Sequence, residues 1–111
     1  MRDQNYFLSK ILSELLTYMR CIGYEKLTVS SSSVSLTPPS NAKYALCVVE
    51  STVTDQIALR YLETGAAPTS SNGMPRWDQG AFDILGTDNI RSFKAIQATA
   101  GTHAINVQYY G

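Results

Sequence analysis

The spacing of apolar residues changes once along the chain, close to Gly23. Over residues 5–22, large apolar residues recur at alternating steps of four and three, the period of a helix with one apolar face. After Gly23 apolar residues recur at every second position, the period of a β-strand. The sequence therefore predicts an N-terminal amphipathic α-helix over residues 1–23 and a single β domain over residues 24–111.

The predicted helix has an apolar stripe that is wider than the seam of a two-stranded coiled coil. Asp3 or Asn5 can cap its start, and Gly23 can take the left-handed conformation that ends a helix. The stripe either packs on the β domain of its own chain or joins copies of the chain, with a trimer favoured, and both alternatives stay open. The predicted assembly interface consists of Leu8, Leu12, Leu15, Met19 and Ile22, beside a second row of Phe7, Ile11, Leu15, Tyr18 and Ile22.

Short strands separated by Gly, Pro, Ser and Asn fill the rest of the chain. Residues 44–50 are almost continuously apolar, which predicts a central strand covered on both faces. The Asn72-Gly73 pair, in a loop over residues 65–75, is a hairpin-turn signal. Further strands are predicted around residues 27–36 and at 57–62, 76–79, 81–85, 92–99 and 102–110. Six to eight such strands predict one antiparallel β-sandwich, jelly-roll or immunoglobulin-like.

The charge of the chain is low and balanced, with nine Lys and Arg against nine Asp and Glu. Proteins that bind nucleic acid concentrate basic residues, so direct nucleic-acid binding is not expected. Polar residues interrupt the helix stripe, which excludes a membrane span, and no signal-peptide cleavage site follows it. We predict synthesis in the cytoplasm, with Cys21 and Cys47 reduced, and no membrane partner.

Residues suited to catalysis are few. His103 is the one histidine, and we interpret it as a satisfied or exposed side chain in preference to a general base or metal ligand. No GxSxG elbow surrounds any serine, and Asp78 and Asp83 are interpreted as turn and edge residues. The sequence predicts a protein that is not an enzyme, with no catalytic residue, no metal site and no cofactor.

Aromatic residues of the β region are the stronger candidates for binding. An exposed aromatic ring can stack on a sugar, whereas a buried ring supplies core or interface area. Trp77 follows Arg76 and borders a loop, which makes it the best exposed candidate. We interpret these rings as core or interface residues in preference to a ligand platform, and Tyr61 and Trp77 are the two residues that would form such a platform for a surface glycan.

Several segments of the β region carry a recurrent motif pattern. They are the Ser-Val-Ser-Leu-Thr-Pro run at 33–38, Ala42, the apolar run at 44–50, Leu-Arg-Tyr at 59–61, the Gly-to-Gly loop at 65–73, Phe-Lys-Ala-Ile-Gln-Ala at 93–98 and Asn-Val-Gln-Tyr-Tyr at 106–110. With this pattern, residues 33–110 resemble small all-β structural proteins of bacteriophage virions, of the head-decoration and head-fibre type. In those proteins an Asp-Gly turn often stands where this chain has residues 62–65.

The resemblance implies a virion structural protein that decorates the capsid, forms a head fibre or belongs to the tail. Its expected partners are copies of itself and other virion proteins, and its expected location is the virion. A similar strand, glycine turn and Pro-Thr pattern occurs in immunoglobulin-like accessory modules of sugar-processing enzymes. A carbohydrate- or surface-binding module is therefore the alternative function.

Overall fold

Eight strands and one short helix make up residues 18–111, the part of the chain that the computed structural model describes. In chain order the strands are β1 (Cys21–Val29), β2 (Val34–Ser35), β3 (Tyr44–Ser51), β4 (Leu59–Leu62), β5 (Met74–Arg76), β6 (Ala81–Leu85), β7 (Lys94–Gln97) and β8 (His103–Tyr110). The helix α1 (Thr87–Ser92) lies between β6 and β7. The predicted mainly β class is confirmed.

The strands form two antiparallel sheets of four. The first sheet has the order β1, β8, β3, β6, and the second has the order β2, β7, β4, β5. Strand β5 lies at an edge, which accommodates Pro75 because a proline has no N–H to give to a second neighbouring strand. The two sheets are built largely from residues that are distant in sequence, so the fold depends on non-local pairing.

The inner faces of the two sheets enclose a shared core. Tyr61 of β4 stacks on Phe82 of β6 with ring centroids 4.4 Å apart, and on Phe93 at 5.3 Å. These rings come from both sheets and from the residue after α1, so aromatic stacking joins the two layers. Alternate residues of β3 and β8 complete the core, namely Ala45, Cys47, Val49, Ile105, Val107 and Tyr109.

The helix end predicted at Gly23 is wrong, because β1 already begins at Cys21. Ile22 lies at an irregularity in the pairing of β1 with β8 and packs against the core. The apolar spacing predicted the wrong element here because β8 offers backbone partners to Cys21 and to residues 23–29, and tertiary pairing overrides a local pattern. The rest of the predicted helix, including Leu8, Leu12 and Leu15, lies outside the described residues.

The turn and strand predictions between residues 76 and 92 need two corrections. Strand β5 ends at Arg76, and the segment predicted as a strand over 76–79 instead contains a turn, with Gln79 at φ 66°. Gly86, predicted as part of a turn, stands just before α1 at φ 93°. Strand β6 is confirmed at its predicted residues. Within residues 18–111 no helix has the length and apolarity needed to span a membrane.

Candidate functional site

The outer face of the first sheet is covered by side chains in regular rows across the four strands. The row nearest the start of β1 contains Cys21, Tyr110, Tyr44 and Leu85, which the strand register places side by side. The next row contains Tyr24, Gln108, Leu46 and Asp83, and Val48 lies in the third. We call the apolar members of these rows the tyrosine face: Tyr24, Tyr44, Leu46, Val48, Leu85 and Tyr110.

The tyrosine face is open in the part of the chain that the structure describes. Tyr24 is 61% exposed and Leu85 is 58% exposed. The prediction that β3 is central is confirmed, because it pairs with both β6 and β8. The prediction that both faces of β3 are covered is not met by residues 18–111, since Val48 stays exposed on the outer side. Exposed apolar residues that adjoin each other are typical of a contact surface.

Hydrogen bonds hold the tyrosine rings against the sheet. The Tyr24 hydroxyl donates to Asn106 Oδ1 at 2.7 Å, and the Tyr44 hydroxyl donates to Asp83 Oδ1 at 2.7 Å. Each bond reaches a neighbouring strand, so the ring leans over the sheet. Burial and then the bond to Asp83 raise the pKa of Tyr44 to about 12. The two hydrogen bonds therefore restrain the positions of the Tyr24 and Tyr44 rings on the outer face.

Polar groups occupy the opposite end of the same outer face. Lys26 Nζ lies 3.6 Å from Glu50 Oε2, and Asn106 Nδ2 donates to Glu50 Oε1 at 2.5 Å. Lys26 and Glu50 are both more than half exposed, so this ion pair contributes little to stability. The outer face thus changes from aromatic and aliphatic at the start of β1 to charged and polar at the end of β1.

An open cleft of about 380 Å³ lies at that polar end. Its walls come from the ends of β3 and β8 and from the turn after β5. Eight of the nine lining residues are polar or charged. The lining residues are Lys26, Glu50, Ser51, Thr52, Asp78, Gln79, Thr102, His103 and Ala104.

Ser51 and His103 meet at the floor of this cleft. Ser51 Oγ lies 2.7 Å from His103 Nδ1, and His103 Nε2 lies 2.7 Å from the Thr99 carbonyl oxygen. Because a carbonyl oxygen can only accept, Nε2 carries a proton and donates it to Thr99. The prediction of a satisfied histidine is confirmed, since both ring nitrogens have partners.

The Ser51–His103 pair has the spacing of a nucleophile and a general base, so its surroundings decide its chemistry. A carbonyl, in place of a carboxylate, orients the histidine ring, and Ser51 Oγ also accepts the Val53 N–H at 2.9 Å. Asp78 accepts the Ser51 N–H at 2.9 Å, so its carboxylate bonds the backbone of Ser51. These bonds connect the end of β3, the start of β8 and the turn after β5. We call this hydrogen-bonded group, made by Ser51, His103 and Asp78, the clasp, and its bonds stabilise the fold.

The predicted ligand platform divides between core and surface. Tyr61 is only 4% exposed and stacks on Phe82 and Phe93, so it is a core residue and cannot receive a ligand ring. Tyr61 is buried because the first sheet packs over this side of β4. Alternation along β4 does not show which of its two sides faces the other sheet. Trp77 is 47% exposed and remains a candidate for stacking on a ligand. The two residues do not form one platform.

Of the predicted helix interface, the structure describes only the last two residues, Met19 and Ile22. Met19 lies in the segment between a turn at Tyr18 and β1, and Ile22 packs on the core from β1. Leu8, Leu12 and Leu15 lie outside the described residues. The predicted turn and edge positions of Asp78 and Asp83 are confirmed, since Asp78 lies in the turn after β5 and Asp83 on edge strand β6.

The sequence interpretation missed the tyrosine face and the serine partner of His103. The signal for the face was present: Tyr44, Leu46 and Val48 alternate along β3, and Tyr110 ends β8. No comparable local signal links Ser51 to His103, because 52 positions separate them. Across residues 18–111 there is no group of three or more His, Cys, Asp or Glu side chains arranged to hold a metal ion.

Comparison of the chain with protein-family models, curated proteins and solved structures gave no match in any of the three.

Proposed function

We propose that the two sheets form a jelly-roll β-sandwich. The strand pairs β1–β8, β2–β7, β3–β6 and β4–β5 support this, because a long antiparallel ribbon rolled into two sheets makes these four pairings. The sheet orders β1-β8-β3-β6 and β2-β7-β4-β5 fit the same roll. Jelly rolls occur among viral capsid and lectin domains, so the topology is compatible with both candidate functions but selects neither.

On this fold, the chain serves as a non-enzymatic structural protein of a bacteriophage virion, as a capsid decoration, head-fibre or tail-associated component. It assembles through its predicted N-terminal helix and the outer face of the first sheet. The observation that carries the proposal is the tyrosine face, on which exposed Tyr24 and Leu85 adjoin half-buried Tyr44 and Tyr110, and which gains by being covered by protein. The clasp at His103, which serves packing, agrees with a structural role.

The test is incorporation of the chain into particles made from the genome that encodes it. The wild-type chain is expected among the proteins of purified particles, identified by mass spectrometry. A variant with Leu85→Asp and Tyr110→Asp is expected to be lost from the particles, because charge on the tyrosine face opposes burial of that face. Absence of the wild-type chain from purified particles would overturn the proposal.

A matched control separates a lost interface from a lost fold. Ser35 is exposed on β2 of the second sheet, away from the tyrosine face. The variant Ser35→Asp is expected to enter particles like the wild type. Circular dichroism should show the same β spectrum for all three proteins.

A carbohydrate- or surface-binding module is the second candidate function. The favouring observation is that Tyr24 and Tyr44 lean over the sheet with amide and carboxylate groups beside them, as a flat sugar-binding surface requires. Trp77 offers a separate exposed ring near the turn after β5.

A glycan-binding screen distinguishes the two functions. Under the second candidate, Tyr24→Ala or Trp77→Ala lowers binding of a glycan that the wild-type chain retains, since loss of one stacked ring costs about tenfold in affinity. A scaffold protein is expected to bind no glycan in either form. Ser35→Ala is the control for a surface substitution outside both aromatic regions.

A further inference from the structure

The cleft beside the clasp is lined by a residue with a strained backbone, Gln79, whose φ is 66°. We propose that this cleft binds the pyranose ring of a neutral sugar, and that the Gln79 side chain contacts the ring. The inference rests on the second candidate function, carbohydrate binding, and gives that function a site and a ligand class. It uses neither the tyrosine face nor any contact made in a particle.

The first argument is the backbone conformation of Gln79. A Cβ atom makes positive φ values unfavourable, and glycine is the residue that adopts them without this cost. Within residues 18–111 the other residues with positive φ are all glycines, namely Gly65, Gly73 and Gly86. A glycine at position 79 would relieve the strain, so glutamine is kept there at a cost in stability.

The second argument is that the fold needs the backbone of residue 79 but not its side chain. The Gln79 N–H donates to the Val49 carbonyl at 2.8 Å, and the Val49 N–H donates to the Gly80 carbonyl at 2.9 Å. The Gly80 N–H closes the turn on the Trp77 carbonyl at 3.0 Å. Because all three bonds are made by backbone groups, a glycine at position 79 would preserve them.

The third argument is that the amide of Gln79 is available to a ligand. Gln79 is exposed along the cleft. Within residues 18–111 the side-chain hydrogen bonds at the cleft join other pairs, namely Ser51–His103, Ser51–Asp78, Thr52–Thr102 and Glu50–Asn106. The amide both donates and accepts hydrogen bonds, so contact with a ligand would account for a strained glutamine at this position.

The charges of the lining favour a neutral ligand. Lys26 supplies one positive charge, whereas Glu50 and Asp78 supply two negative charges, so the lining would repel an anion. A metal ion does not fit either, because no group of three or more His, Cys, Asp or Glu side chains within residues 18–111 is arranged to hold one. The ligand is therefore neutral and forms hydrogen bonds.

The chemical groups around the cleft match those of a sugar ring. Asp78 accepts hydrogen bonds, whereas Gln79 and the hydroxyls of Thr52 and Thr102 both donate and accept them. Each hydroxyl of a pyranose also donates and accepts, so adjacent hydroxyls can bond adjacent side chains. The methyl groups of the two threonines and of Ala104 suit the C–H groups of the ring.

The cleft has the size and the rigidity of a site for one ring. Its volume of about 380 Å³ is at the small end of the range for small-molecule sites, about 300–1,000 Å³. The clasp holds its floor, since Ser51 Oγ lies 2.7 Å from His103 Nδ1 and Asp78 accepts the Ser51 N–H at 2.9 Å. Asp78 is therefore positioned before a ligand arrives, which lowers the entropic cost of binding.

Titration of the full chain with free monosaccharides tests the site. Glucose, galactose, mannose and N-acetylglucosamine are each added to isotope-labelled protein, and shifts of the amide resonances in NMR spectra give the dissociation constant and the residues affected. We expect one or more of these sugars to shift the resonances of the cleft residues and to leave those of the tyrosine face unchanged.

The variant Gln79→Gly separates contact with a ligand from a structural role. Glycine relieves the backbone strain, so the urea midpoint is expected to equal or exceed that of the wild type. The affinity for the sugar is expected to fall about tenfold, because the hydrogen bonds of the amide are lost. Gln56→Gly is the matched control, since Gln56 is exposed in a loop, lies outside the cleft lining and has no positive φ. It is expected to keep the affinity and to lower the midpoint slightly.

Wild-type affinity in Gln79→Gly would overturn the inference, and a lower urea midpoint in this variant would contradict the strain. If Tyr24→Ala or Trp77→Ala abolished sugar binding while Gln79→Gly kept it, the inference would fail but carbohydrate binding would stand. Absence of binding of all four sugars would also overturn the inference, and the glycan screen would then decide the second candidate function by itself. Incorporation into particles is measured separately, so the virion proposal does not depend on these results.

Discussion

His103 is a polar side chain in an interior that is otherwise hydrophobic across residues 18–111, with 1% of its surface exposed. Its two nitrogens bond Ser51 and the Thr99 carbonyl, so the ring joins the start of β8 to the end of β3 and to the preceding loop. A buried histidine in this arrangement stabilises the fold as long as both partners remain.

Substitution of His103 tests this role. His103→Ala removes both bonds and leaves a cavity, so the free energy of unfolding is expected to fall by about 2–4 kcal/mol. Urea denaturation followed by tryptophan fluorescence measures the change. Ser51→Ala removes only the bond to the ring and the Val53 contact, and is expected to cost less. An unchanged denaturation midpoint for His103→Ala would contradict the clasp.

The two cysteines differ in their access to reagents. Cys21 is exposed, whereas Cys47 is buried, and burial raises the pKa of the Cys47 thiol to about 12. Iodoacetamide at neutral pH is therefore expected to modify one thiol per folded chain and two per chain in denaturant, counted by mass spectrometry. Labelling of Cys47 at the rate of Cys21 would contradict the packing of β3.

At the scale of elements, a hydrogen-bond cluster connects β1, β8 and the segment that crosses between the sheets. The Tyr109 hydroxyl donates to Glu25, which also accepts the Thr37 N–H at 2.8 Å and the Thr37 hydroxyl at 2.9 Å. Burial, then the bond to Glu25, raises the pKa of Tyr109 above its ordinary value of 10. The cluster fixes the position of the crossing segment against β1.

This pKa shift predicts a loss of stability in alkali. Above pH 10 an unfolded tyrosine loses its proton while folded Tyr109 keeps it, so the unfolded state is favoured as pH rises. The group contributes its full stabilisation below pH 10, and each further pH unit removes up to about 1.4 kcal/mol. Tyr109→Phe is expected to reduce this slope in denaturation curves recorded from neutral pH to about pH 11. A slope equal to that of the wild type would contradict the assignment.

At the scale of the whole molecule, aromatic stacking holds the two sheets together. Tyr61 and Phe82 come from different sheets, and the Arg76 guanidinium lies 5.7 Å and 5.2 Å from their ring centroids. Phe93 lies 5.3 Å from Tyr61 and 6.1 Å from Phe82, so the three rings are in mutual contact. Removal of the central ring therefore weakens contact between the layers as well as the local packing.

Tyr61→Ala is expected to lower the free energy of unfolding by about 3–5 kcal/mol, as for other large aromatic residues in a core. Trp77→Ala, at a half-exposed position, is expected to change it by less than about 1 kcal/mol. Thermal or urea denaturation compares the two variants directly. If Tyr61→Ala changed the free energy of unfolding only slightly, the result would contradict the burial of Tyr61 and would support its role in a ligand platform.

The period of the apolar residues determined the β class and the position of β6, and the nearly continuous apolar run at 44–50 determined the central place of β3, because strand-forming residues act locally. Residues 86–89 were predicted as a turn, but residues 87–89 belong to α1. The first turn of this helix is stabilised by a contact that is distant in sequence, because the Thr87 hydroxyl donates to the Ala42 carbonyl at 2.8 Å. At the other end of the domain, the helical spacing through Ile22 gave way to pairing with β8.

By itself the sequence determined which segments extend, that charge is balanced, and that catalytic residues are few. Only the tertiary structure decided which side of each strand is buried, because that depends on which sheet lies opposite. It buried Tyr61, left Tyr24 and Leu85 exposed in one continuous face, and brought Ser51 to His103 across 52 positions. Local patterns carry no information on such distant pairings, since the free energy that selects them comes from contacts made after the chain has folded.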